Sequence, residues 1–152
     1  MFHITIQYAA DKALAPKARL LRKWAKQTLS KQIKSADITI RIVDKNEMSI
    51  LNATYRHKHA PTNVLSFPFS TSNNSTLLLG DIIICADIVN QEAQEQHKSP
   101  RAHWAHMVIH GVFHLLGFDH KTNRDAKIME SLEIKIMETL GFTNPYEGIK
   151  DE

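Results

Sequence analysis

Cysteine is nearly absent from this chain of 152 residues, which has only Cys85. A single thiol cannot form an intramolecular disulfide, so disulfide-stapled secreted domains are excluded and we expect a reducing, cytoplasmic location. Long apolar runs are absent as well, and none approaches the roughly 20 residues of a membrane-spanning helix. We therefore expect no membrane partner. Hydrophobic residues make up 43% and charged residues 23%, as in ordinary globular proteins and unlike disordered or fibrous ones.

Two further features are missing from the first part of the chain. Residues 2–7 alternate apolar with polar side chains and show no basic region followed by an apolar segment, so we expect no signal peptide. Acids are absent from residues 12–34, which contain eight basic residues: Lys12, Lys17, Arg19, Arg22, Lys23, Lys26, Lys31 and Lys34. With a net charge of +3, this cluster is either a solvated helix face or a patch that attracts phosphate, and the sequence leaves both open.

Hydrophobic periodicity predicts a β-α-β unit at the start of the chain. Residues 2–7 and 37–44 alternate apolar with polar side chains, which is typical of half-buried strands. Between them an apolar stripe recurs at helical spacing. Its members are Leu14, Ala18, Leu21, Ala25 and Leu29. Strands separated by a helix usually pair in parallel through a crossover.

The remaining residues predict a hairpin and further helices. Residues 64–67 and 77–86 are apolar strands on either side of a polar loop at residues 70–76. Helix starts are indicated by capping residues at Asp44, Asp87, Ser99 and Thr122 or Asn123. Together these patterns predict a single α/β (α+β) domain, residues 1–152, with a mixed sheet of about four strands packed against the helices.

Three histidines stand at the spacing of a metal site. On the helix that Ser99 opens, His110 and His114 are four residues apart and share one face. Gly117 can end that helix in a left-handed conformation and turn the chain back, which brings His120 to the other two. Three ligands and an open fourth position are typical of a catalytic zinc site. We predict one Zn²⁺ held by these histidines at the end of a central H-x-x-x-H helix.

Polar residues around this stretch leave alternatives open. His103 and His106, earlier on the same helix, either support the ligands or pack in the core. Asp119 either orients a ligand imidazole or shapes the turn. The sequence gives no reason to prefer one role over the other for Asp119.

Gly111 restricts the chemistry of the site. The pattern H-x-x-x-H-x-x-G-x-x-H is that of the metzincin zinc proteases, which need a glutamate after the first histidine to accept a proton from the attacking water. Gly111 has no side chain, and this disfavours a peptide substrate. A bound metal can still polarise a phosphoryl oxygen, and an arginine suits the charge that develops on a phosphodiester.

Arg56 and Lys58 lie where a helix gives way to a loop. A guanidinium offers phosphate oxygens a planar fork of donors, so this pair could clamp a phosphate. Cations are also common at helix C-termini because they complement the helix dipole. The loop alone leaves these two interpretations equal.

Five sequence blocks together carry a family resemblance. They are Asn52-x-x-Tyr55-Arg56, Pro61-Thr62-x-Val64-Leu65-Ser66-Phe67-Pro68, Gly80-Asp81-Ile82, His103-Trp104-x-His106 and His110-Gly111-x-x-His114-Leu115-x-Gly117-x-Asp119-His120. In the order and spacing of these blocks, the chain resembles the YbeY family of bacterial endoribonucleases, also called rRNA maturation factors. The resemblance covers nearly the whole chain.

The resemblance implies a zinc-dependent endoribonuclease that prefers single-stranded RNA. The three histidines would bind the metal, and Arg56 would be the catalytic residue required for activity. The resemblance also implies maturation of the 3′ end of small-subunit ribosomal RNA and ribosome quality control, so ribosomal RNA and the small ribosomal subunit are the expected partners. We further expect Lys58, Arg22 and Lys26 to hold the RNA strand.

Three positions depart from the family. His59 and Asn63 stand where members usually have aspartate, and Phe118 replaces a tyrosine. Because neutral groups replace acids, the loop is more basic, and we expect somewhat stronger and less discriminating RNA binding.

Two alternative functions remain open. One is an RNA- or ribosome-binding assembly factor whose zinc is mainly structural. The other is a metallohydrolase of another substrate, such as a peptide.

Overall fold

The first two strands form the parallel unit predicted from the periodicity. In the computed structural model, which describes residues 1–69 and 77–147, β1 (Phe2–Tyr8) pairs in parallel with β2 (Ala36–Val43), and α1 (Ala18–Ser30) connects them. The predicted helical stripe is correct from Ala18 onward. Leu14 lies in a separate short 3-10 turn, because Ala15, which precedes a proline, is extended.

Two more strands complete a mixed sheet. β3 (Val64–Pro68) and β4 (Leu78–Cys85) are antiparallel, as the predicted hairpin requires, and β4 also pairs in parallel with β2. The resulting strand order is β1-β2-β4-β3. The predicted polar loop at residues 70–76 lies outside the described residues.

Four more helices begin close to their predicted starts. They are α2 (Lys45–Arg56), α3 (Ala86–Glu95), α4 (Pro100–Leu115) and α5 (Asn123–Thr139). The side chains of Asp44, Ser99 and Thr122 each accept a hydrogen bond from the first turn of their helix. Asp87 does not cap α3, because the helix starts directly at the end of β4 and Asp87 already lies within its first turn.

Helices cover both faces of the sheet. The larger apolar cluster includes Leu21, Ile82, Ile84 and Ile109, and it joins α1, α4 and α5 to one face. A smaller cluster includes Met48 from α2 and Ile83 from β4, and it lies on the other face. Neighbouring residues of β4 thus enter different clusters, which explains why this strand is largely apolar, with Asp81 as its one charged residue.

Helix α4 is the central helix of the fold. It contacts β3, β4 and the helices α1, α3 and α5, and most of its residues are buried. Its backbone passes very close to β4 at Gly111, where a Cβ atom would come within 2.8 Å of Ile82 Cγ2. Glycine at position 111 is therefore a packing requirement, because any side chain there would collide with the sheet. Among the described residues no helix is both long and apolar enough to cross a bilayer.

Candidate metal centre

The end of α4 is built so that the chain reverses just after His114. Gly117 has φ +99°, and the backbone N–H groups of Gly117 and Phe118 donate to the carbonyls of His114 and Phe113 at 3.1 and 3.0 Å. This is a Schellman cap, and it comes with the apolar contact typical of that motif, because the rings of Phe113 and Phe118 are 5.4 Å apart. The predicted turn at Gly117 is confirmed.

The reversal brings the three predicted histidines together. One ring nitrogen from each of His110, His114 and His120 lies within 4.8 Å of the others. The Nε2 atoms of His110 and His114 are 3.1 Å apart. Two ligands at the usual zinc distance and a tetrahedral angle would be about 3.3 Å apart, so this pair already has nearly the spacing that a zinc ion needs.

A buried glutamate fixes the orientation of the first histidine. Glu133 on α5 is fully buried, and its Oε2 accepts a hydrogen bond from His110 Nδ1 at 2.7 Å. A carboxylate can only accept, so His110 carries its proton on Nδ1 and leaves Nε2 free for a metal. Potential metal-binding atoms of His106, His110 and Glu133 also lie within 4.8 Å of one another. They are close because both histidines are hydrogen-bonded to Glu133.

Two more side chains hold Glu133 in place. Its Oε1 accepts a hydrogen bond from His106 Nε2 at 2.7 Å and another from the hydroxyl of Tyr146. Burial lowers the pKa of His106, which therefore donates to Glu133 as a neutral ring. Of the roles left open for His106, the structure thus supports that of a partner to the ligands.

The electrostatics of the cluster suit metal binding. Burial alone would raise the pKa of Glu133, but hydrogen bonds from His106 and His110 outweigh burial and lower the pKa to about 2. Burial, followed by the charges of His110 and His120, lowers the pKa of His114 to about 4. At neutral pH the site therefore presents a neutral imidazole at His114 beside a buried carboxylate, which is the protonation state that a cation requires.

Asp119 shapes the turn. Its Oδ1 accepts a hydrogen bond from the backbone N–H of His120 at 2.6 Å, and this bond lowers the pKa of the carboxylate. Of the two roles left open by the sequence, the structure shows the local one, and Glu133 is the residue that orients a ligand.

The histidines open into a cleft of about 810 Å³. The end of α2 and the strand β3 also line this cleft, and they bring Tyr55, Arg56, Ser66 and Phe67 to it. Arg56 and the three predicted ligands thus line one cleft. Asp119 is the single acid among the described residues that line it.

The three predicted RNA-binding residues lie elsewhere. Lys58 is exposed in the loop after α2 and is not part of the cleft lining. Arg22 and Lys26 line a separate depression beside β1, where Arg22 Nε donates to the carbonyl of Ile4 at 2.9 Å. This bond satisfies one carbonyl of the edge strand β1, and that structural role is independent of RNA.

The departures from the family fall in different surroundings. Asn63 lines the cleft, and its Nδ2 donates to both carboxylate oxygens of Glu92, at 3.1 and 3.3 Å. Glu92 also contacts His103 Nε2 at 2.9 Å. His59 is exposed in the loop before β3. His103 on α4 and Glu92 on α3 therefore join these two helices, and Asn63 joins Glu92 to the loop before β3. These contacts fix one edge of the cleft.

Sequence reasoning missed Glu133 and Tyr146. Both reach the histidines only through tertiary packing of α5 and the segment after it against α4. One pattern could have indicated Glu133: it lies four residues after Met129 and three before Ile136, on the apolar face of its helix, where an acid needs a buried partner. Tyr146 has no comparable pattern.

Fold and site together define an α/β protein with a three-histidine centre that could hold a metal, set in a cleft with an arginine. The family model for "Endoribonuclease YbeY" matches residues 5–141. A curated protein named "Endoribonuclease YbeY" from Nitrosococcus oceani is 49% identical over 149 residues, which cover 96% of this chain and 97% of that protein. The chain belongs to the YbeY family.

A solved structure supports the fold. The solution structure of a Thermotoga maritima protein matches with a TM-score of 0.61 and covers 100% of this chain and 97% of that one. The two sequences are 21% identical. At that identity the match supports the fold and carries no argument about chemistry.

Proposed function

We propose that this protein is a metal-dependent endoribonuclease that cuts single-stranded RNA. The observation that carries the proposal is that Arg56 and the three histidines line one cleft. The name shared by the family model and the Nitrosococcus oceani relative supports the reaction class. Zinc is the ion we propose, one per chain, because three imidazoles with an open fourth position suit it.

The residues of the cleft have separate roles in the proposed reaction. A bound ion supplies a Lewis acid for a phosphoryl oxygen and lowers the pKa of a coordinated water. His110, His114 and His120 would hold the ion, and Glu133 keeps the His110 proton on Nδ1. Arg56 stabilises the negative charge that develops on the phosphorane, because its guanidinium can donate to two equatorial oxygens.

A peptide substrate is disfavoured by packing as well as by sequence. The Cβ of any side chain at position 111 would point at Ile82 on β4, so a glutamate there could not reach the cleft without displacing the sheet. The proposed site therefore has no protease-type general base beside its first ligand.

The proposed biological role follows the family resemblance. We assign the enzyme to maturation of the 3′ end of small-subunit ribosomal RNA and to ribosome quality control, with the small ribosomal subunit as a partner. Lys58 would contact the strand as it leaves the cleft. Arg22 and Lys26 lie on another surface, so they would contact only a longer RNA or the ribosome itself.

Single-turnover cleavage of a labelled single-stranded RNA tests the proposal. The zinc-loaded protein should cut the RNA, chelator should abolish cutting, and Arg56→Ala should reduce the rate by about 10²- to 10³-fold while zinc binding is unchanged. Arg124→Ala is the matched control, because Arg124 is exposed on α5 and does not line the cleft. RNA binding without cutting by the zinc-loaded wild type would instead support an assembly factor with a structural zinc.

A further inference from the structure

Tyr55 is an exposed aromatic residue in the wall of the cleft. It leaves 62% of its surface exposed, although it directly precedes Arg56 and lines the same cleft as the three histidines. The metal site and its supporting hydrogen bonds do not use it. An aromatic ring left open beside the proposed reaction centre is placed to contact the substrate.

The ring of Tyr55 is held from the side by β3. The rings of Tyr55 and Phe67 meet edge to face, with centroids 5.1 Å apart and planes at 67°. Phe67 in turn packs on the smaller apolar cluster and lines the cleft. Tyr55 is therefore supported by the core, so less side-chain entropy is lost when a flat ligand stacks on it.

The charges around the ring indicate an anionic partner. Arg56 follows Tyr55 directly, and Arg56 and Lys121 both line the cleft. Asp119, the acid noted above in this lining, accepts the His120 N–H and lies 3.7 Å from the ammonium of Lys121. Cations interleaved with an open aromatic ring are the usual construction of a surface for single-stranded nucleic acid, where every base offers a face for stacking.

We propose that Tyr55 stacks on one unpaired base of the RNA, next to the phosphodiester that Arg56 contacts. The proposal rests on the proposed function and gives a physical cause for the preference for single strands. A base in a duplex is already stacked and paired, so it would first have to be unpaired and unstacked, at a cost in free energy, before it could reach Tyr55. An unpaired base reaches the ring without that cost.

The test is an abasic scan on zinc-loaded protein. A 2′-O-methyl oligonucleotide is made with one abasic site at each position in turn, its affinity is measured by fluorescence anisotropy, and a gel run after each titration checks that the strand is intact. At one position the wild type should lose about 5- to 150-fold in affinity, the range for loss of one base–aromatic stack. Tyr55→Ala should bind the intact strand equally weakly and show no further loss at that position.

Two variants separate stacking from other causes. Tyr55→Phe should keep the abasic penalty, because it keeps the ring and removes only the hydroxyl. Ile50→Ala is the matched control on the same helix, since Ile50 is 66% exposed and does not line the cleft. It should bind every oligonucleotide as the wild type does.

The outcomes distinguish this inference from the proposed function. If the wild type cuts RNA but Tyr55→Ala shows the same abasic penalty as the wild type, the stacking proposal is wrong and the nuclease stands. The same conclusion follows if Tyr55→Ala binds the intact strand as tightly as the wild type. If the wild type neither cuts nor binds single-stranded RNA, the proposed function fails first, and the exposed ring would then point to a protein partner.

Discussion

At the scale of single residues, the carboxylate of Glu133 decides which nitrogen of His110 faces a metal. We predict that Glu133→Gln weakens zinc binding by about 10- to 100-fold. An amide nitrogen in place of Oε2 would donate toward His110 Nδ1 and favour the opposite tautomer, whose Nε2 carries a proton and cannot bind. Competition with a chromogenic chelator measures the affinity.

Glu138→Gln on the same helix is the control for this measurement. Glu138 is exposed and belongs to neither group of residues whose atoms could hold a metal. It should bind zinc as the wild type does. Equal affinities for the wild type and Glu133→Gln would show that the carboxylate is only a packing element.

Asn63 is a second residue whose contacts predict the effect of a substitution. We predict that Asn63→Asp destabilises the fold by about 1–2 kcal/mol at pH 7, because it replaces a hydrogen bond to Glu92 by a repulsion between two carboxylates. Denaturant unfolding measures this difference. The double variant Asn63→Asp with Glu92→Gln should recover part of the loss, since the new amide at position 92 could donate to the new carboxylate at position 63.

The pH dependence of that difference follows from Glu92. Burial would raise the pKa of Glu92, but hydrogen bonds from His103 and Asn63 outweigh it and lower the pKa below the usual 4.5. The stability due to Glu92 is therefore present above about pH 4.5 and is lost as pH falls toward the lower folded-state value. In Asn63→Asp the pKa of Glu92 rises, so the deficit seen at pH 7 should shrink near pH 4. A constant deficit would contradict this account.

His59 is the better position for testing the more basic loop. Asn63→Asp changes the fold as well as the charge, whereas His59 is exposed. We predict that His59→Asp lowers affinity for single-stranded RNA several-fold at low salt and much less at high salt, because the effect is electrostatic. Equal affinities at low salt would contradict the prediction.

At the scale of elements, the turns that end α4 and α5 offer a matched comparison. Gly117 and Gly141 have φ +99° and +91°, and a Cβ at either would meet nothing within 4 Å. We predict that alanine at either position costs about 1–2 kcal/mol of stability, from the left-handed backbone alone. Only Gly117→Ala should also weaken zinc binding, because its turn carries His120. Zinc titration of the two variants, each compared with its unfolding curve, checks this.

The close approach of α4 to β4 can be tested by a double-mutant cycle. We predict that Gly111→Ala costs about 1–3 kcal/mol, because its Cβ would lie 2.8 Å from Ile82 Cγ2. Ile82→Ala is destabilising by itself, since it opens a cavity in the core. In that background the added cost of Gly111→Ala should largely disappear. Additive costs would show that the two residues do not collide.

At the scale of the whole molecule, the apolar core should fold without the metal. The two apolar clusters contain none of the three proposed ligands. We predict that the chelator-treated protein keeps a cooperative thermal transition, and that zinc at about 1,000 times its Kd adds about 4 kcal/mol. For a chain of this size that raises Tm by roughly 8–16 °C. Loss of the transition in chelator would support the structural-zinc alternative.

The sequence predicted the parts of the site that depend on local geometry. Helix geometry places His110 and His114 on one face, and the conformational freedom of glycine allows the turn at Gly117. Both features are local, so a short sequence pattern can reveal them. The hydrogen bonds between Glu133 and the histidines depend on how α5 packs against α4, and no local sequence pattern encodes that packing. For the same reason the periodicities predicted four strands but could not place β4 between β2 and β3.

The hydrogen bond between Tyr146 and Glu133 also sets an order of events during synthesis. All three proposed ligands have been made once residue 120 is added, but the carboxylate that orients the first of them comes 13 residues later and its tyrosine partner 26 residues later. A chain that stops after α5 would contain every ligand and Arg56, yet the carboxylate would be held less firmly. The proposed nuclease thus becomes fully competent only after residue 146 has been added, so chains that terminate between residues 120 and 146 would contain every ligand and still bind the metal less firmly.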